Sequence, residues 1–371
     1  MTMKNDQDLF YMQQAIELAK LGRFTTTPNP NVGCIIVKDN QIIGQGYHQK
    51  AGGPHAEVYA LQMAGNNVKG ATAYVTLEPC SHFGRTPPCA DALIKSGIKR
   101  VVIAMQDPNP NVAGQGIKRL NDAGIEVSVG VLAAQAELLN KGFLKRMRTG
   151  LPYVQLKLAT SLDGKIAMAS GESKWITSTI ARQDVQQFRA QACCILSTRS
   201  TVQADNASLT VRYAQLPDNV KHNYLPKNLR QPVRVIIDSQ HRLTGDENIF
   251  KQPGETWIVR KQNIPVMLPN TKLIIESSTN NNIDLTILLK TLGEQQINSV
   301  WVEAGSQLAG ALIEQELIDE LIIYYAPKLL GHNAIDMCKL TNLQKLSLAP
   351  HFRFESTKMV GEDLRVILKK A

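Results

Sequence analysis

Three residues with strong affinity for zinc occur in the amino-terminal part of the chain, and the fold has to bring them together. They are His55, Cys80 and Cys89, and the carboxylate of Glu57 stands two residues after the histidine. A Zn²⁺ ion held by three protein ligands keeps its fourth tetrahedral position open for water, which is typical of catalytic sites. Glu57 is not needed as a ligand and is therefore available to move protons. The pattern favours a catalytic zinc site.

Two other interpretations of these residues stay open. The cysteines could simply be buried in the core, or a structural zinc could take His82 or Cys34 as a fourth ligand. Against both, H-x-E followed by P-C is the signature of zinc deaminases, in which the glutamate is the general acid and base. The second cysteine comes later here than in that signature. Residues i and i+2 do not share a helix face, so His55 and Glu57 have to converge from a first helical turn.

The length of 371 residues exceeds what one hydrophobic core usually supports and predicts two domains. The pattern of elements changes near Gly150, so we predict domains at 1–150 and 151–371. The first contains 16 Lys and Arg against 11 Asp and Glu, an excess of +5, and the second 25 against 21, an excess of +4. Such an even surplus is typical of a solvated surface. We therefore expect no nucleic-acid partner.

Targeting signals and membrane spans are not apparent in the sequence. The amino terminus is polar and has no apolar core of a signal peptide, and no apolar run reaches the length of a membrane span. Six cysteines in a chain of this length do not form the pattern of a disulfide scaffold. We expect a cytoplasmic protein with no membrane partner.

The order of predicted elements indicates an α/β fold in both halves. In the first half we predict helices at 8–21, from about 55, and at 90–96, 117–123 and 133–150, with strands at 32–37, 42–47, 71–77, 100–104 and 125–129. In the second half we predict strands from Tyr153 and at 233–238, 256–259, 272–276, 299–303, 320–326 and 364–368, with helices at 180–192, 285–292 and 306–315. Residues 213–230 are predicted to be a long loop.

A strand that ends in a glycine turn before a helix occurs at 299–306. Such a turn presents backbone N–H groups to a phosphate, although a single glycine is weak evidence for a cofactor. Asp205 and Arg212 lie in a stretch of small residues that we predict to be a loop. Without further evidence, we interpret Asp205 as a turn residue and Arg212 as a surface residue.

Longer motifs resemble one family, the bifunctional pyrimidine deaminase/reductase of riboflavin biosynthesis. In the first half they are 27–33 (TPNPNVG), 46–48 (GYH), 54–57 (PHAE) and 76–89 (TLEPCSHFGRTPPC). In the second half they are 157–164 (KLATSLDG), 170–177 (SGESKWIT) and 302–305 (VEAG). The resemblance covers nearly the whole chain, and the late second cysteine is a feature of this family.

The resemblance implies a cytidine-deaminase-like three-layer α/β/α domain followed by a dihydrofolate-reductase-like α/β domain. The first domain would hold one Zn²⁺ and exchange the 2-amino group of 2,5-diamino-6-ribosylamino-4(3H)-pyrimidinone 5′-phosphate for oxygen. The second would use NADPH to reduce the ribosyl side chain to ribityl. The partner is then a small phosphorylated pyrimidine, and we expect a homo-oligomer.

Residue roles also follow from the resemblance. His55, Cys80 and Cys89 hold the metal, and Glu57 is the general acid and base. The expected substrate contacts are Asn29, His48, His82, Arg85, Ser173, Arg189, Leu209, Arg212 and Glu303. Arg85 suits a phosphate because of its multi-donor fork, and Arg189 and Arg212 are phosphate candidates in the second domain. The expected NADPH contacts are Lys157, Ala159, Trp175, Thr201, Asp205, Ser239, Gly305, Ser306, Gln307 and Leu308.

The reduction requires an acid near the sugar, and Asp205 and Glu303 are the candidates. The chain departs from the family pattern at Asn206-Ala207, where Asp-Pro is usual, and at Ala304, where a glycine is frequent. Because neither change removes a charged group, we expect altered loop rigidity rather than loss of reduction. Two alternatives remain, namely a deaminase of nucleosides or tRNA adenosine, and a zinc-stabilised module that acts as a sensor.

Overall fold

The computed structural model describes residues 2–81, 88–109, 113–262, 264, 270–275, 282–341 and 343–370, and for residues 2–4 it describes the backbone alone. The chain divides into two compact units, Met1–Gly150 and Leu151–Ala371. Each unit is built on its own β-sheet and has its own hydrophobic clusters.

The first unit contains six helices and five strands among its described residues. The helices are α1 (Thr2–Lys20), α2 (Ala56–Ala64), α3 (Cys89–Lys95), α4 (Gln115–Asp122), α5 (Ala133–Leu139) and α6 (Lys141–Thr149). The strands are β1 (Gly33–Lys38), β2 (Gln41–Tyr47), β3 (Thr72–Val75), β4 (Arg100–Ile103) and β5 (Glu126–Val129). Their order in the sheet is β2-β1-β3-β4-β5. Strand β1 is antiparallel to both of its neighbours, β2 and β3, whereas β3, β4 and β5 are parallel to one another.

Both faces of this sheet are covered, because successive side chains of a strand point to opposite sides. On one face Cys34 and Ile36 of β1 pack with α2, α3 and α4; on the other Ile35 and Val37 pack with α1, α5 and α6. Gly46 lets α2 approach β2 closely, since a Cβ there would lie 2.4 Å from the carbonyl oxygen of Ala56. This three-layer α/β/α arrangement confirms the predicted fold class.

The second unit contains eleven strands and five helices among its described residues. Its strands are β6 (Tyr153–Ser161), β7 (Lys165–Ala167), β8 (Cys194–Thr198), β9 (Val233–Ile237), β10 (Thr256–Arg260), β11 (Thr271–Ile275), β12 (Ser299–Glu303), β13 (Glu320–Ala326), β14 (Ile335–Asp336), β15 (Phe352–Val360) and β16 (Asp363–Lys370). Its helices are α7 (Thr179–Gln191), α8 (Arg199–Asp205), α9 (Asp218–Lys221), α10 (Leu285–Glu294) and α11 (Ser306–Glu314).

Nine of these strands form one sheet in the order β11-β10-β9-β8-β12-β6-β13-β16-β15, and β14 pairs with β7. The seven strands from β11 to β13 are parallel, and β16 and β15 extend the sheet antiparallel. The carboxyl ends of the parallel strands therefore lie at one edge, where ligand sites of open α/β sheets occur. Helices α10 and α11 cover one face, and α7 covers the other.

Three sequence predictions for the second unit were wrong in detail. Strands β7, β8, β14 and β15 were not predicted. The stretch 213–230 is not a plain loop: it contains α9 and two short 3₁₀ turns, and it buries Leu216, Val220 and Tyr224. Asp205 lies at the carboxyl end of α8 rather than in a loop.

Within the described ranges, the structure offers no helix that combines the length and the apolar character needed to cross a membrane.

Candidate active sites

The three predicted zinc ligands converge in the first unit. The ligand atoms of His55, Cys80 and Cys89 lie within 4.8 Å of one another. The Nδ1 atom of His55 is 3.7 Å from Sγ of Cys80 and 3.3 Å from Sγ of Cys89. A tetrahedral zinc with Zn–S and Zn–N distances of about 2.3 and 2.0 Å separates its ligand atoms by roughly 3.5–3.8 Å. The described side chains therefore fit a zinc ion through Nδ1 and two sulfurs.

The local backbone structure orients these ligand side chains toward one another. His55 is the extended N-cap residue of α2, with φ −77° and ψ 167°, so its ring and the Glu57 side chain in the first turn can converge. Cys89 is the first residue of α3; its backbone N–H donates to Sγ of Cys80 over 3.3 Å, and the Ala90 N–H donates to the Cys80 carbonyl oxygen. The N-terminus of a helix stabilises negative charge, which favours thiolates here.

The surroundings of the two cysteines shift the pKa values of their thiols in opposite directions. The pKa of Cys80 is lowered because its sulfur accepts hydrogen bonds from Cys89 and His55. The pKa of Cys89 is raised, because Cys80 accepts its proton and because the thiol is buried beside Glu57. Zinc binding requires both sulfurs as thiolates and a free Nδ1 on His55, so it releases the protons that these ligand atoms still hold.

Glu57 is 3% exposed, and burial raises the pKa of its carboxyl although His55 opposes the shift. A raised pKa makes this carboxylate a better proton acceptor than an ordinary glutamate, which suits proton transfer beside an open metal position.

Two of the expected pyrimidine contacts lie beside the zinc ligands. His48 is 2% exposed, and its ring is edge-on to that of His55 with 5.5 Å between centroids. Its Nδ1 lies 2.9 Å from the carbonyl oxygen of Pro54, so Nδ1 must carry the proton; Nε2 then accepts from the amide of Asn29 over 3.1 Å. Burial lowers the pKa of His48. His48 and Asn29 form a neutral hydrogen-bonding pair next to the metal site. The other two expected contacts, His82 and Arg85, lie outside the described residues.

Glu78 is a supporting residue that the sequence did not reveal. It is 3% exposed, and its two oxygens accept four backbone N–H groups, those of Asp107, Gly114, Gly116 and Ile117, at 2.9–3.2 Å. These bonds fasten the segment that carries Cys80 to the start of α4. Only partners remote in sequence reveal this role, so no local signal could have indicated it.

Gly116 makes this close approach possible and supports a first prediction. A Cβ at position 116 would lie 2.0 Å from the carbonyl oxygen of Pro79 and 3.2 Å from Oε1 of Glu78. Gly116→Ala should displace α4 and weaken both zinc retention and ammonia release by roughly tenfold or more, as loss of outer supports of metal sites does. The measurement is the rate of zinc loss to a chelator. Lys118→Ala on the exposed side of α4 is the matched control, and equal zinc loss rates in the two variants would contradict the prediction.

In the second unit a compact charge cluster surrounds Glu303, the last residue of β12. Arg189 of α7 binds its carboxylate through two parallel bonds, Nε to Oε1 at 2.6 Å and Nη2 to Oε2 at 2.9 Å. The strands place Lys157 opposite Glu303 in register, with its Nζ 4.0 Å from Oε2. Burial alone would raise the pKa of Glu303, but Arg189 outweighs it and, with Lys157, lowers the pKa to about 2. Burial lowers the pKa of Lys157.

The other residues expected at the substrate in this unit are Arg189, Leu209, Arg212 and Ser173. Arg189 also donates through Nη1 to the carbonyl oxygen of Thr210, so each of its three nitrogens is bonded. Leu209, next to Thr210, is 4% exposed and has a positive φ of 48°. Arg212 is exposed, and its guanidinium has a 3.5 Å contact with Gln215. Ser173 is half-buried in the segment before α7.

The residues expected at NADPH lie mainly at the carboxyl edge of the parallel strands. Lys157 and Ala159 belong to β6, Thr201 and Asp205 to α8, Ser239 follows β9, and Gly305–Leu308 form the start of α11. Trp175 is 63% exposed, and the guanidinium of Arg182 lies 4.3 Å from its ring centre. Lys174 reaches from the same segment to the carbonyl oxygen of Asp205 over 3.0 Å.

Comparisons with known proteins give a class to each unit. The family described as the cytidine and deoxycytidylate deaminase zinc-binding region matches residues 5–105, and the family described as the RibD C-terminal domain matches residues 152–366. Together with the zinc-ligand geometry, these matches define a zinc-dependent deaminase and a reductase joined in one chain. The chain belongs to the RibD family of bifunctional riboflavin biosynthesis enzymes. Its cofactors are zinc and NADPH.

The similarity extends over the full length of relatives and solved structures. The chain is 58% identical to the riboflavin biosynthesis protein RibD of Escherichia coli over 359 residues, which cover 96% of this chain and 98% of the relative. Acinetobacter baumannii RibD is 45% identical with a TM-score of 0.91, covering 99% and 100% of the two chains. A diaminohydroxyphosphoribosylaminopyrimidine deaminase/5-amino-6-(5-phosphoribosylamino)uracil reductase of Thermotoga maritima is 34% identical, with a TM-score of 0.87 and the same coverage.

Proposed function

We propose that the two units act in turn on one phosphorylated pyrimidine. Residues 1–150 deaminate 2,5-diamino-6-ribosylamino-4(3H)-pyrimidinone 5′-phosphate at its 2-amino group. Residues 151–371 then reduce the ribosyl group with NADPH, giving 5-amino-6-(5-phosphoribitylamino)uracil. The name of the Thermotoga maritima relative supports this substrate class. The observation that carries the proposal is the zinc-ligand triad beside the buried, protonatable carboxyl of Glu57.

In the deamination, His55, Cys80 and Cys89 would hold zinc, which supplies a Lewis acid that activates water. Glu57 takes the proton of that water and passes it to the ring nitrogen and then to the departing amine. Its burial supports this role, because a raised pKa makes the carboxylate a stronger base than an ordinary glutamate and lets it hold the proton until the amine departs.

Asn29 and His48 are proposed to bind the pyrimidine. Their mutual hydrogen bond and the bond from His48 to Pro54 fix the orientation of both side chains. His82 and Arg85 are two further proposed substrate contacts, with Arg85 proposed for the phosphate.

In the reduction, Glu303 is proposed to bind the sugar as an anion. Its pKa of about 2 keeps it ionised at neutral pH, so it accepts hydrogen bonds from substrate hydroxyl groups and is a poor proton donor. Asp205 remains the proposed acid among the two carboxyls. Lys157, whose partly buried ammonium has a lowered pKa, is a second candidate for the proton donor.

Arg212 is the proposed phosphate ligand of the second unit, with Ser173, Leu209 and Arg189 beside the substrate. Arg189 is engaged by Glu303 and Thr210, whereas the guanidinium of Arg212 is exposed. Arg212→Ala should raise the KM of the phosphorylated uracil by about tenfold or more, the loss typical of a hydrogen bond to a charged group, and leave that of the dephosphorylated analogue unchanged. Steady-state NADPH oxidation with both substrates measures this. An equal rise for both would contradict a phosphate contact.

NADPH is proposed to lie along the carboxyl edge of β6, β8, β9 and β12. The proposed contacts are Lys157, Ala159, Trp175, Thr201, Asp205, Ser239, Gly305, Ser306, Gln307 and Leu308. The location supports them because parallel strands present their ligand sites at this edge. We further propose a cytoplasmic homo-oligomer. The exposed edge strand β15, with Phe354 at 74% and Met359 at 60% exposure, offers a second copy an apolar surface.

A comparison of three substrates tests the proposed specificity of the first unit. The protein is incubated in turn with the phosphorylated diaminopyrimidine, with cytidine and with tRNA, and ammonia is measured. We expect release from the diaminopyrimidine and none above background from the other two. Release from cytidine or tRNA, but not from the diaminopyrimidine, would overturn the proposal.

A further inference from the structure

The carboxylate of Glu303 has a third partner besides Arg189 and Lys157. Trp301 lies two residues before it on β12, so both side chains point to the same face of the sheet. The indole Nε1–H of Trp301 donates to Oε1 of Glu303 over 2.8 Å. Trp301 is completely buried, so this N–H has no access to water and bonds to the carboxylate instead.

The indole ring is itself held rigidly. Phe188, the neighbour of Arg189 on α7, stacks on it with 5.0 Å between centroids and an interplanar angle of 10°. The guanidinium of Arg365 lies 5.5 Å from the centre of the Phe188 ring and forms an ion pair with the Asp184 carboxylate at 2.7 Å. Tyr324 donates to the same carboxylate over 2.6 Å. Helix α7 thus contacts the indole through Phe188, and Asp184 anchors α7 to β13 and β16 through Tyr324 and Arg365.

Counting acceptor positions shows what this N–H does to the carboxylate. An ionised carboxylate has about four lone-pair sites, two on each oxygen. Oε1 uses both, for Arg189 Nε and Trp301 Nε1, whereas Oε2 uses one for Arg189 Nη2. The remaining site on Oε2 lies on the oxygen that Lys157 faces at 4.0 Å. Without the indole N–H, the second site of Oε1 would also be open, and the carboxylate could tilt in its contact with Arg189.

We propose that Trp301 is a positioning residue for the reductase substrate: its indole N–H saturates Oε1 of Glu303 and so directs the one open acceptor of that carboxylate, on Oε2, toward a sugar hydroxyl. This inference rests on the proposed role of Glu303 in substrate binding. It predicts an effect on pyrimidine binding and none on NADPH binding, because Trp301 is buried and, among the described residues, contacts the site through the Glu303 carboxylate.

The test compares two tryptophans in the full-length protein. Trp301→Phe keeps an aromatic ring against Phe188 but removes the N–H. Trp257→Phe is the matched control, since buried Trp257 on β10 donates in the same way to Glu255, two residues earlier, over 3.0 Å. Glu255 is an exposed residue with no assigned role. Steady-state NADPH oxidation gives KM and kcat for each variant, and thermal unfolding gives its stability.

Trp301→Phe should raise the KM of the deaminated pyrimidine about tenfold and leave the KM of NADPH unchanged. Without the indole N–H, the Glu303 carboxylate is no longer directed at the sugar, and the substrate hydroxyl loses its hydrogen bond to that charged group. Trp257→Phe should lower thermal stability to a similar degree and change neither KM. If Trp301→Phe leaves the pyrimidine KM as in the control, or raises both KM values equally, the positioning role is overturned.

Glu303→Gln separates failure of this inference from failure of the role assigned to Glu303. A normal pyrimidine KM in Glu303→Gln would remove Glu303 from the substrate site altogether. A raised KM in Glu303→Gln together with a normal KM in Trp301→Phe would overturn the positioning role alone. If Trp301 acts through Glu303, the double variant should match Glu303→Gln, since the two effects are not additive. Should Trp301→Phe fail to fold, benzothienylalanine at position 301 replaces the N–H by sulfur at nearly constant shape and takes the same readouts.

Discussion

Glu57→Gln should lower the rate of ammonia release by a factor of about 10²–10⁴ while the protein keeps its zinc. The amide matches the carboxyl in shape, but it can neither take a proton from water nor return one to the leaving amine. The three side chains that converge as possible metal ligands are His55, Cys80 and Cys89. Because Glu57 is not one of them, the metal should remain bound. The measurements are ammonia release and zinc content of the same preparation.

The second activity provides the control for this variant. NADPH oxidation with the deaminated pyrimidine should be unchanged, because Glu57 lies in the first compact unit and the reductase residues in the second. A parallel loss of zinc and ammonia release would show that Glu57 supports the metal site rather than the proton transfer. It would favour the structural zinc that the sequence alone left open.

Arg189→Met should abolish measurable reduction and destabilise the second unit by about 3–5 kcal/mol, the cost of leaving a buried charge without its partner. The side chains of Arg189 and Glu303 are each 12% exposed, so little solvent is available to compensate. The free energy of unfolding of the variant can be measured by denaturant titration. The double variant Arg189→Met with Glu303→Gln also removes the unpaired negative charge of the Glu303 carboxylate. It should recover much of the stability, but not the activity.

The pH dependence of stability should change sign in this variant. In the unchanged protein the folded-state pKa of Glu303 is about 2, below its ordinary value of 4.5. The resulting stabilisation is present above pH 4.5 and is lost as the pH falls toward 2. Without Arg189, burial should raise the folded-state pKa of Glu303 above 4.5. Arg189→Met should then be relatively more stable at acidic pH and lose stability as the pH rises; a deficit that does not vary with pH would contradict this account.

Much of the fold could be predicted because strong local patterns coincide with the final packing. Val154, Leu156 and Leu158 alternate with polar neighbours, and in the structure they line one face of β6. The convergence of His55, Cys80 and Cys89 could be predicted because a zinc site restricts both residue type and spacing. His55 and Glu57 converge as expected at the start of α2, where the N-cap residue is still extended.

The elements that were missed had weak or masked local signals. Strand β8 is only five residues long and begins three residues after the end of α7, with no glycine or proline to separate them. Strand β15 lies at the sheet edge with most of its residues exposed, so its sequence shows little hydrophobic pattern. Asp205 was placed in a loop because the small residues around it obscure the short helix α8.

The supporting contacts of the sites depend on the tertiary structure and could not be predicted. Glu78 gains its four N–H partners from residues 107–117, and Arg189 meets Glu303 only because α7 packs on β12. Trp301 resembles any other core aromatic residue in the sequence. Only the stacked arrangement with Phe188 and the bond to Glu303 distinguish it.

The central claim is that one chain deaminates a phosphorylated diaminopyrimidine and then reduces the product. The most direct test incubates the protein with that precursor, with and without NADPH, and follows ammonia, NADPH and the pyrimidine products together. We predict ammonia and the deaminated ribosyl compound without NADPH, and with NADPH one equivalent oxidised per ribityl product formed. In Glu57→Gln the precursor should yield neither ammonia nor NADPH oxidation. Oxidation of NADPH by the undeaminated precursor in that variant, or no oxidation with the deaminated compound, would contradict the account.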